Sequence, residues 1–319
     1  MLLMDAMPVM SDDDACCPCR TPETIAAALS DRGFCYLTLS KAEQRATAQL
    51  FDAAAAFHDA DQAWKSLARH RPTRRGGYYK AGEEPTYDTS DADAPDAAAS
   101  RVEDFSVVST GDDQVWPEGE RGDGLRDAAL QYLDVAVAAG QIVRNALGSL
   151  LASDERPAKR RRRSAEPLVA APSMFRLLRY PAAGGDLSAH SDFECFTFVH
   201  QRVAGLEVLV DGAWKRLAAA PDDSNCVLLA GDAAEFLSGG AVRAARHRVR
   251  SGAPRRESIV LFHAAADDAP LEPCVGDRSA YDAARRAADA HFGSAAPLTQ
   301  RRHVRCRVER AEKHEVVVE

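Results

Sequence analysis

The chain alternates between two hydrophobic rhythms. From Thr21 apolar residues recur at helical spacing. Thr21, Pro22 and Glu23 offer an N-cap, a first-turn proline and a first-turn acid, and Ile25, Leu29 and the alanines between them form one apolar face. Gly33 stops that helix, and GFCYLTL (33–39) predicts a short strand. Alanine-rich helix follows over about 41–68, with a gap near His58. Residues 71–100, rich in glycine, proline and acids, predict a long loop with a short strand at Gly77–Lys80, and VEDFSVV (102–108) resumes strand character. Leu125, Ala129, Leu133, Ala136, Ile142, Val143, Leu147 and Leu150 then predict a long helix over 123–151.

Beyond Leu168 the rhythm turns to β. The candidate strands are MFRLLRY (174–180), FECFTFVH (193–200), GLEVLV (205–210), WKRLA (214–218), NCVLLAG (225–231), AAEFLS (233–238), RHRVR (246–250) and ESIVLFHAA (257–265). They are short, evenly spaced and divided by Gly, Pro, Asp and Ser, which argues for a sandwich or barrel-like jelly roll. The tail returns to helix over 281–292 and 299–315. The expected fold class is mainly β with flanking α: a double-stranded β-helix core with N-terminal and C-terminal helices packed on it. Its parts are a flexible leader (1–20), an N-terminal helix and strand region (21–151), a basic loop insertion (152–167), the jelly-roll core (168–270) and C-terminal helices (271–319).

Composition narrows the function. Apolar residues make up 46 %, enough for a sizeable core, and a net charge of −8 argues against general nucleic-acid binding. No apolar run approaches the roughly 20 residues of a membrane span, and MLLMDAMPVM carries Asp5 and no basic leader, so it does not read as a signal peptide. A cytoplasmic monomer that binds neither membrane nor nucleic acid is expected. The eight cysteines form no disulfide framework; Cys195 and Cys226 read as small buried hydrophobes. Cys16 and Cys19 lack a second Cys/His pair for zinc, so a flexible leader is preferred to a metal or redox role. The five basic residues Lys159–Arg163 read as a solvated loop, the alternative being a nuclear-import or polyanion-binding patch.

Candidate chemistry lies in DLSAHSDFECF (186–196). His190 and Asp192 would share one face of a strand. With nine His and 48 acidic residues, about one such triplet is expected by chance, so a further ligand is needed. His247 supplies it, on a strand several segments downstream. Two histidines and a carboxylate on one face are the donor set of non-haem Fe(II) oxygenases. Arg256 and Ser258 follow on one strand face, where a guanidinium and a hydroxyl can hold one carboxylate.

This ordered set resembles the Fe(II)/2-oxoglutarate-dependent dioxygenases of the isopenicillin N synthase-like family. The likeness runs through GFCYL, RRGGYY, RVEDFSVV, VWP, FRLLRYP, AHSDFECFTFVHQRVAGLEVL and LLAGDAAEFLSGG to the distal His and R-x-S, about three-quarters of the chain. It implies that His190, Asp192 and His247 bind iron. It implies that Arg256 and Ser258, with Tyr180 as a third contact, hold the distal carboxylate of 2-oxoglutarate. Leu178 stands where plant members often have Asn, and Arg176 matches the bacterial and fungal style. Phe193 is expected as a substrate wall at the pocket mouth, with core packing as its alternative. Glu84 and Thr86 fall in the loop that family members place over the substrate. Tyr180 has packing as its alternative, Arg256 an ion pair with Glu235 or Asp232, and His200 and His263 read as core or rim residues.

No catalytic residue beyond the metal centre is implied. The cofactors are Fe(II), 2-oxoglutarate and O2, with ascorbate as an accessory reductant. The implied reaction oxidises a C–H bond of a small specialised metabolite, with hydroxylation as the default. The alternative outcome is oxidative cyclisation or desaturation of an amino-acid-like or terpenoid intermediate. A catalytically silent jelly-roll binding module is the reading against which the intact donor set argues. Arg176, Glu84 and the basic tail suit a carboxylated or zwitterionic substrate.

Overall fold

The structure is a computed structural model that describes residues 19–70, 76–83, 102–108, 114–152, 172–182, 186–250, 255–273 and 276–315. Glu84, Thr86, Cys16 and the basic run 159–163 lie outside them. In chain order the elements are α1 (Pro22–Arg32), β1 (Phe34–Thr38), α2 (Lys41–His58), α3 (Gln62–Leu67), β2 (Gly77–Tyr79), β3 (Glu103–Val108) and α4 (Glu120–Ala152). Then come β4 (Pro172–Tyr180), β5 (Leu187–His190), β6 (Phe196–Gln201), β7 (Leu206–Val210), β8 (Ala213–Arg216) and β9 (Asn225–Ala230). The chain closes with α5 (Asp232–Ser238), β10 (His247–Val249), β11 (Arg256–His263), α6 (Ser279–Phe292) and α7 (Gln300–Glu315). The first helix begins as its sequence predicts, with Thr21 as N-cap, and Thr21 and Ser40 each accept from the backbone three residues on and complete a capping box.

Two antiparallel sheets face one another without closing into a barrel. The larger has the order β1-β9-β6-β11-β4-β3-β2, the smaller β5-β10-β7-β8. Strand alternation divides the core in two. Phe175, Leu177, Phe196, Phe198, Ile259 and Leu261 point outward from the large sheet into the main core, with residues of α1, α2 and α4. Phe34, Tyr36, Leu178, Tyr180, Val199, Val227 and Leu229 point inward and meet Leu206, Val208 and Val249 of the small sheet. The space between the sheets is therefore walled by apolar side chains, and any polar group on an inner face stands out against them.

Two expectations are corrected. AAEFLS (233–238) is helix, not strand. Its buried apolar residues are Ala233, Ala234, Phe236 and Leu237, a helical spacing that so short a segment between two glycines concealed among true strands. FECFTFVH does not begin a strand at Phe193: β5 ends at His190, residues 191–195 form a turn, and β6 starts at Phe196. His190 and Asp192 therefore do not share a strand face by alternation. The turn brings them together. The helical stretch expected over about 41–68 has its gap where expected, α2 ending at His58 and α3 starting at Gln62, and the strand and long-helix expectations elsewhere hold within a few residues.

A buried ionic cluster ties α2 and α3 to β3. The Glu103 carboxylate accepts from Lys65 Nζ at 3.1 Å and from the Tyr78 hydroxyl at 2.8 Å, and His58 Nδ1 lies 3.4 Å away. Burial pushes the Glu103 carboxyl up, but His58, Tyr78 and Lys65 beside it overcome that and bring it down to about 2. A carboxyl depressed on folding stabilises the protein above its ordinary value near 4.5 and loses that contribution as the pH falls towards 2. His58, lowered by burial, acts in the same sense below neutrality. Glu103→Gln should cost about 3 kcal/mol in denaturant unfolding at neutral pH, because Lys65 loses its counter-charge inside the protein. It should also flatten the loss of stability below pH 4.5, seen in a series of thermal melts.

Candidate metal centre

The centre starts from a cross-strand pair. β5 and β10 run antiparallel with His190 opposite His247, and the two rings lie 4.3 Å apart between centroids. Each imidazole is oriented the same way. His190 Nδ1 is 2.8 Å from the Ser188 carbonyl and His247 Nδ1 is 2.9 Å from the Ala245 carbonyl. A carbonyl can only accept, so each Nδ1 carries the proton and each Nε2 presents its lone pair. Both lone pairs face one oxygen: Asp192 Oδ1 lies 3.7 Å from His190 Nε2 and 3.8 Å from His247 Nε2. The ligand atoms of the three residues lie within 4.8 Å of one another, so one ion can touch all three. Burial, then the neighbouring His247, holds His190 down to about 4, so it is neutral and ready to ligate at physiological pH.

The carboxylate is fixed by the turn around it. Thr197 Oγ1 donates to Asp192 Oδ2 at 2.5 Å, leaving Oδ1 towards the histidines. The carbonyls of Asp192, Glu194 and Cys195 accept from the backbone of Asp232, Ala233 and Gly231 at 2.8, 3.2 and 3.0 Å. This approach needs glycine at 231. A Cβ there would lie 2.2 Å from the Glu194 carbonyl oxygen and 2.9 Å from that of Asp192.

Across the space between the sheets, on the inner face of the large sheet, stands a buried cation. Arg256 is opposite Tyr180 on β4, and its guanidinium lies 4.2 Å over that ring. One nitrogen reaches Gln201 Oε1 at 3.4 Å, while Nε, the other terminal nitrogen and Ser258 Oγ are buried with no hydrogen-bond partner among the described residues. The alternative of an ion pair with Glu235 or Asp232 is not what forms. Glu235 accepts from the Ala244 backbone, and Asp232 pairs with His303 and Arg307. Burial lowers the Arg256 pKa for want of an anion. Gly205 makes the space, since a Cβ there would come within 2.8 Å of the guanidinium. A buried guanidinium and hydroxyl with donors to spare form a cradle for a carboxylate.

Comparison with known proteins agrees with this geometry. Residues 172–265, which hold all three donors, Arg256 and Ser258, match the model of the 2OG-Fe(II) oxygenase superfamily. The chain carries a 2OG-Fe(II) oxygenase domain. Among solved structures, a 2OG-Fe(II) oxygenase family protein from Caulobacter crescentus is similar at 20 % identity with a TM-score of 0.69, over 91 % of this chain and 93 % of that one. A full-length Neurospora crassa protein, in complex with alpha-KG, is similar at 18 % identity with a TM-score of 0.66, over 92 % and 90 %. The rice dioxygenase for auxin oxidation is similar at 19 % identity with a TM-score of 0.58, over 88 % and 94 %. At these identities the structures establish the shared fold. A search of curated proteins gives no match.

The remaining sequence candidates fall in varied places. Arg176 faces inward on β4, but its guanidinium is held by Asp104 at 2.9 Å, and Ser106 donates to the same carboxylate at 2.7 Å. Phe193 packs on α7, with the Arg307 guanidinium 4.7 Å over its ring. His200 and His263 belong to the outer core, as expected. His200 meets the Tyr132 hydroxyl at 2.8 Å, His263 stacks on Phe196, and burial holds both down to about 3. Glu84 and Thr86 lie outside the described residues. Sequence reasoning missed Thr197, Gln201, Gly205, Asp104 and the α7 residues. Gly205 alone carried a signal, standing before a strand in the G-L-E-V stretch. Gly205→Ala should push Arg256 from its place and raise the 2-oxoglutarate concentration for half-saturation by about tenfold, while titrated divalent-metal affinity stays close to that of the parent.

Proposed function

We propose that the protein oxidises a C–H bond of a small molecule, with hydroxylation as the default outcome, and that His190, Asp192 and His247 hold Fe(II). Arg256 and Ser258, beside Tyr180, hold the distal carboxylate of 2-oxoglutarate. The observation that carries this reading is the pairing of the three-donor cluster on the small sheet with a buried guanidinium and hydroxyl on the large sheet that have unused donors among the described residues, both facing the space between the sheets. A metal cluster alone would fit many proteins. A metal cluster beside a carboxylate cradle fits a chelating keto-diacid.

Bound Fe(II) with 2-oxoglutarate and O2 supplies the C–H oxidation, with succinate and CO2 as the other products. The chain's own side chains position and exclude. The Ser188 and Ala245 carbonyls keep the imidazoles aimed at one point, and Thr197 fixes the carboxylate. Leu178, Val199, Leu206, Val208, Val227 and Leu229 keep the space between the sheets dry. Arg176, with Asp104 and Ser106, puts a polar patch on the inner face of β3 and β4, where a substrate's polar groups have partners. Among similar structures, the Neurospora crassa protein was also crystallised with thymine and the rice dioxygenase is named for auxin oxidation, both small molecules, which supports that substrate class. Among the described residues no helix is long and apolar enough to cross a membrane.

Purified protein given Fe(II), 2-oxoglutarate and O2 should form succinate slowly without any substrate, and His190→Ala should abolish it. Absence of succinate across a broad metabolite panel sinks the proposal. Mass spectrometry of the consumed metabolite then separates the outcomes, a gain of about 16 Da for hydroxylation against a loss of about 2 Da for desaturation or ring closure.

A further inference from the structure

We propose that the C-terminal helix α7 clamps the metal-binding turn, with His303 and Arg307 as positioning residues that act through Asp232. The inference rests on the assignment of His190, Asp192 and His247 as iron ligands. Asp232, almost wholly buried at the start of α5, is the hub. On one side it holds the turn: Ser191 Oγ, between two ligands in sequence, donates to Asp232 Oδ1 at 2.6 Å, and the Asp232 backbone N–H donates to the Asp192 carbonyl at 2.8 Å. On the other side it holds the helix: Oδ2 lies 3.0 Å from His303 Nε2 and 3.2 Å from an Arg307 guanidinium nitrogen.

A second set of contacts reaches the same turn one residue later. Gln300 Nε2 donates to the Phe193 carbonyl at 3.1 Å. The Arg307 guanidinium covers the Phe193 ring, and the His303 ring meets its edge with centroids 6.1 Å apart. Gln300, His303 and Arg307 recur at helical spacing, so one face of α7 delivers all three. Ser191 and Asp192 are thus anchored through Asp232, and Phe193 by α7 directly. The turn has no strand partners at these positions to hold it. Without the clamp, the hydrogen bonds left to Asp192 among the described residues come from Thr197 and the α5 backbone. The donors would sample poorer geometry, which weakens metal binding before it disturbs the rest of the fold.

Mn(II), a redox-stable stand-in for Fe(II), gives a readout independent of turnover. Calorimetric titration should show Mn(II) affinity falling about tenfold in His303→Ala and in Arg307→Ala. His303→Gln, whose amide can still donate to Asp232, should recover most of the loss. Ser191→Ala combined with His303→Ala should cost less than the two single losses multiplied, because both act on one carboxylate. Any lowering of the metal-free melting temperature from the loss of a buried partner of Asp232 should be shared by His303→Gln less than by His303→Ala, and the affinity loss should exceed what that lowering accounts for. Unchanged Mn(II) affinity in both alanine variants overturns the clamp while leaving the iron assignment standing. Loss of affinity that tracks a lower metal-free melting temperature, with no recovery in His303→Gln, also overturns it, since the residues would then serve only the fold. A parent chain that binds no Mn(II) overturns the iron assignment itself, and the clamp with it.

Discussion

The metal centre depends on one register: His190 on β5 directly opposite His247 on β10. Residues opposed in an antiparallel pair bring their Cβ atoms to about 5 Å, which is how ligands from distant parts of the chain become neighbours. A slip of one residue would turn His247 to the other face. Arg248 would take its place beside His190, and the imidazole would face Glu207, which now sits fully buried against Arg248 at 2.8 Å and Arg216 at 3.0 Å. The far edge of β10 guards against the slip as well. His247 is opposite Val208 and Val249 opposite Leu206, and these valines and the leucine fill the space between the sheets. Between the two β5–β10 pairs, β5 carries one extra residue. Such a bulge re-aims the strand end. Here it lets the chain leave the sheet at His190 and return Asp192 to the same point.

Charge explains why this interior tolerates its polar groups. A buried guanidinium without an anion is costly, and so is a buried carboxylate without a cation. Arg256 and Asp192 are both buried, yet neither is the other's partner. With the proposed occupants the balance closes: a dication and one guanidinium against one carboxylate ligand and a dianionic co-substrate. The unused groups on the two inner faces, the histidine lone pairs of the small sheet and the Arg256 donors of the large one, therefore express one requirement. Satisfying either side alone leaves net charge in a low-dielectric space.

Much of this was legible in the sequence because it is written in alternation and order. The strands and Arg256 two residues before Ser258 on one face follow from period-two geometry, and the pairing of His190–Asp192 with a distant His247 from chain order, though a turn and not alternation joins His190 to Asp192. The failures share a cause. AAEFLS is too short for its helical spacing to stand out among true strands, and the 191–195 turn has no periodicity to read. Thr197, Asp104 and Asp232 act by contacts that only the packing of sheets and helices reveals. His303 and Arg307 looked like part of a basic amphipathic tail, and nothing in that tail announces that one face reaches a turn more than a hundred residues earlier.

The same distinction between local pattern and packed partner bears on the substrate. From sequence, Arg176 reads as an inward-facing cation suited to a carboxylate. In the structure Asp104 already neutralises it, and Ser106 shares the same oxygen. A carboxylated substrate arriving there would have to displace Asp104 from a buried pair, at the cost of leaving that carboxylate uncompensated. Arg256, by contrast, is an inward-facing guanidinium with donors left over. The two arginines on neighbouring strands therefore differ in kind. One has donors left over that suit the carboxylate of the proposed co-substrate. The other, with Asp104 beside it, offers donor and acceptor together, which favours a neutral substrate group with both hydrogen-bonding senses, such as an amide, over a second anion.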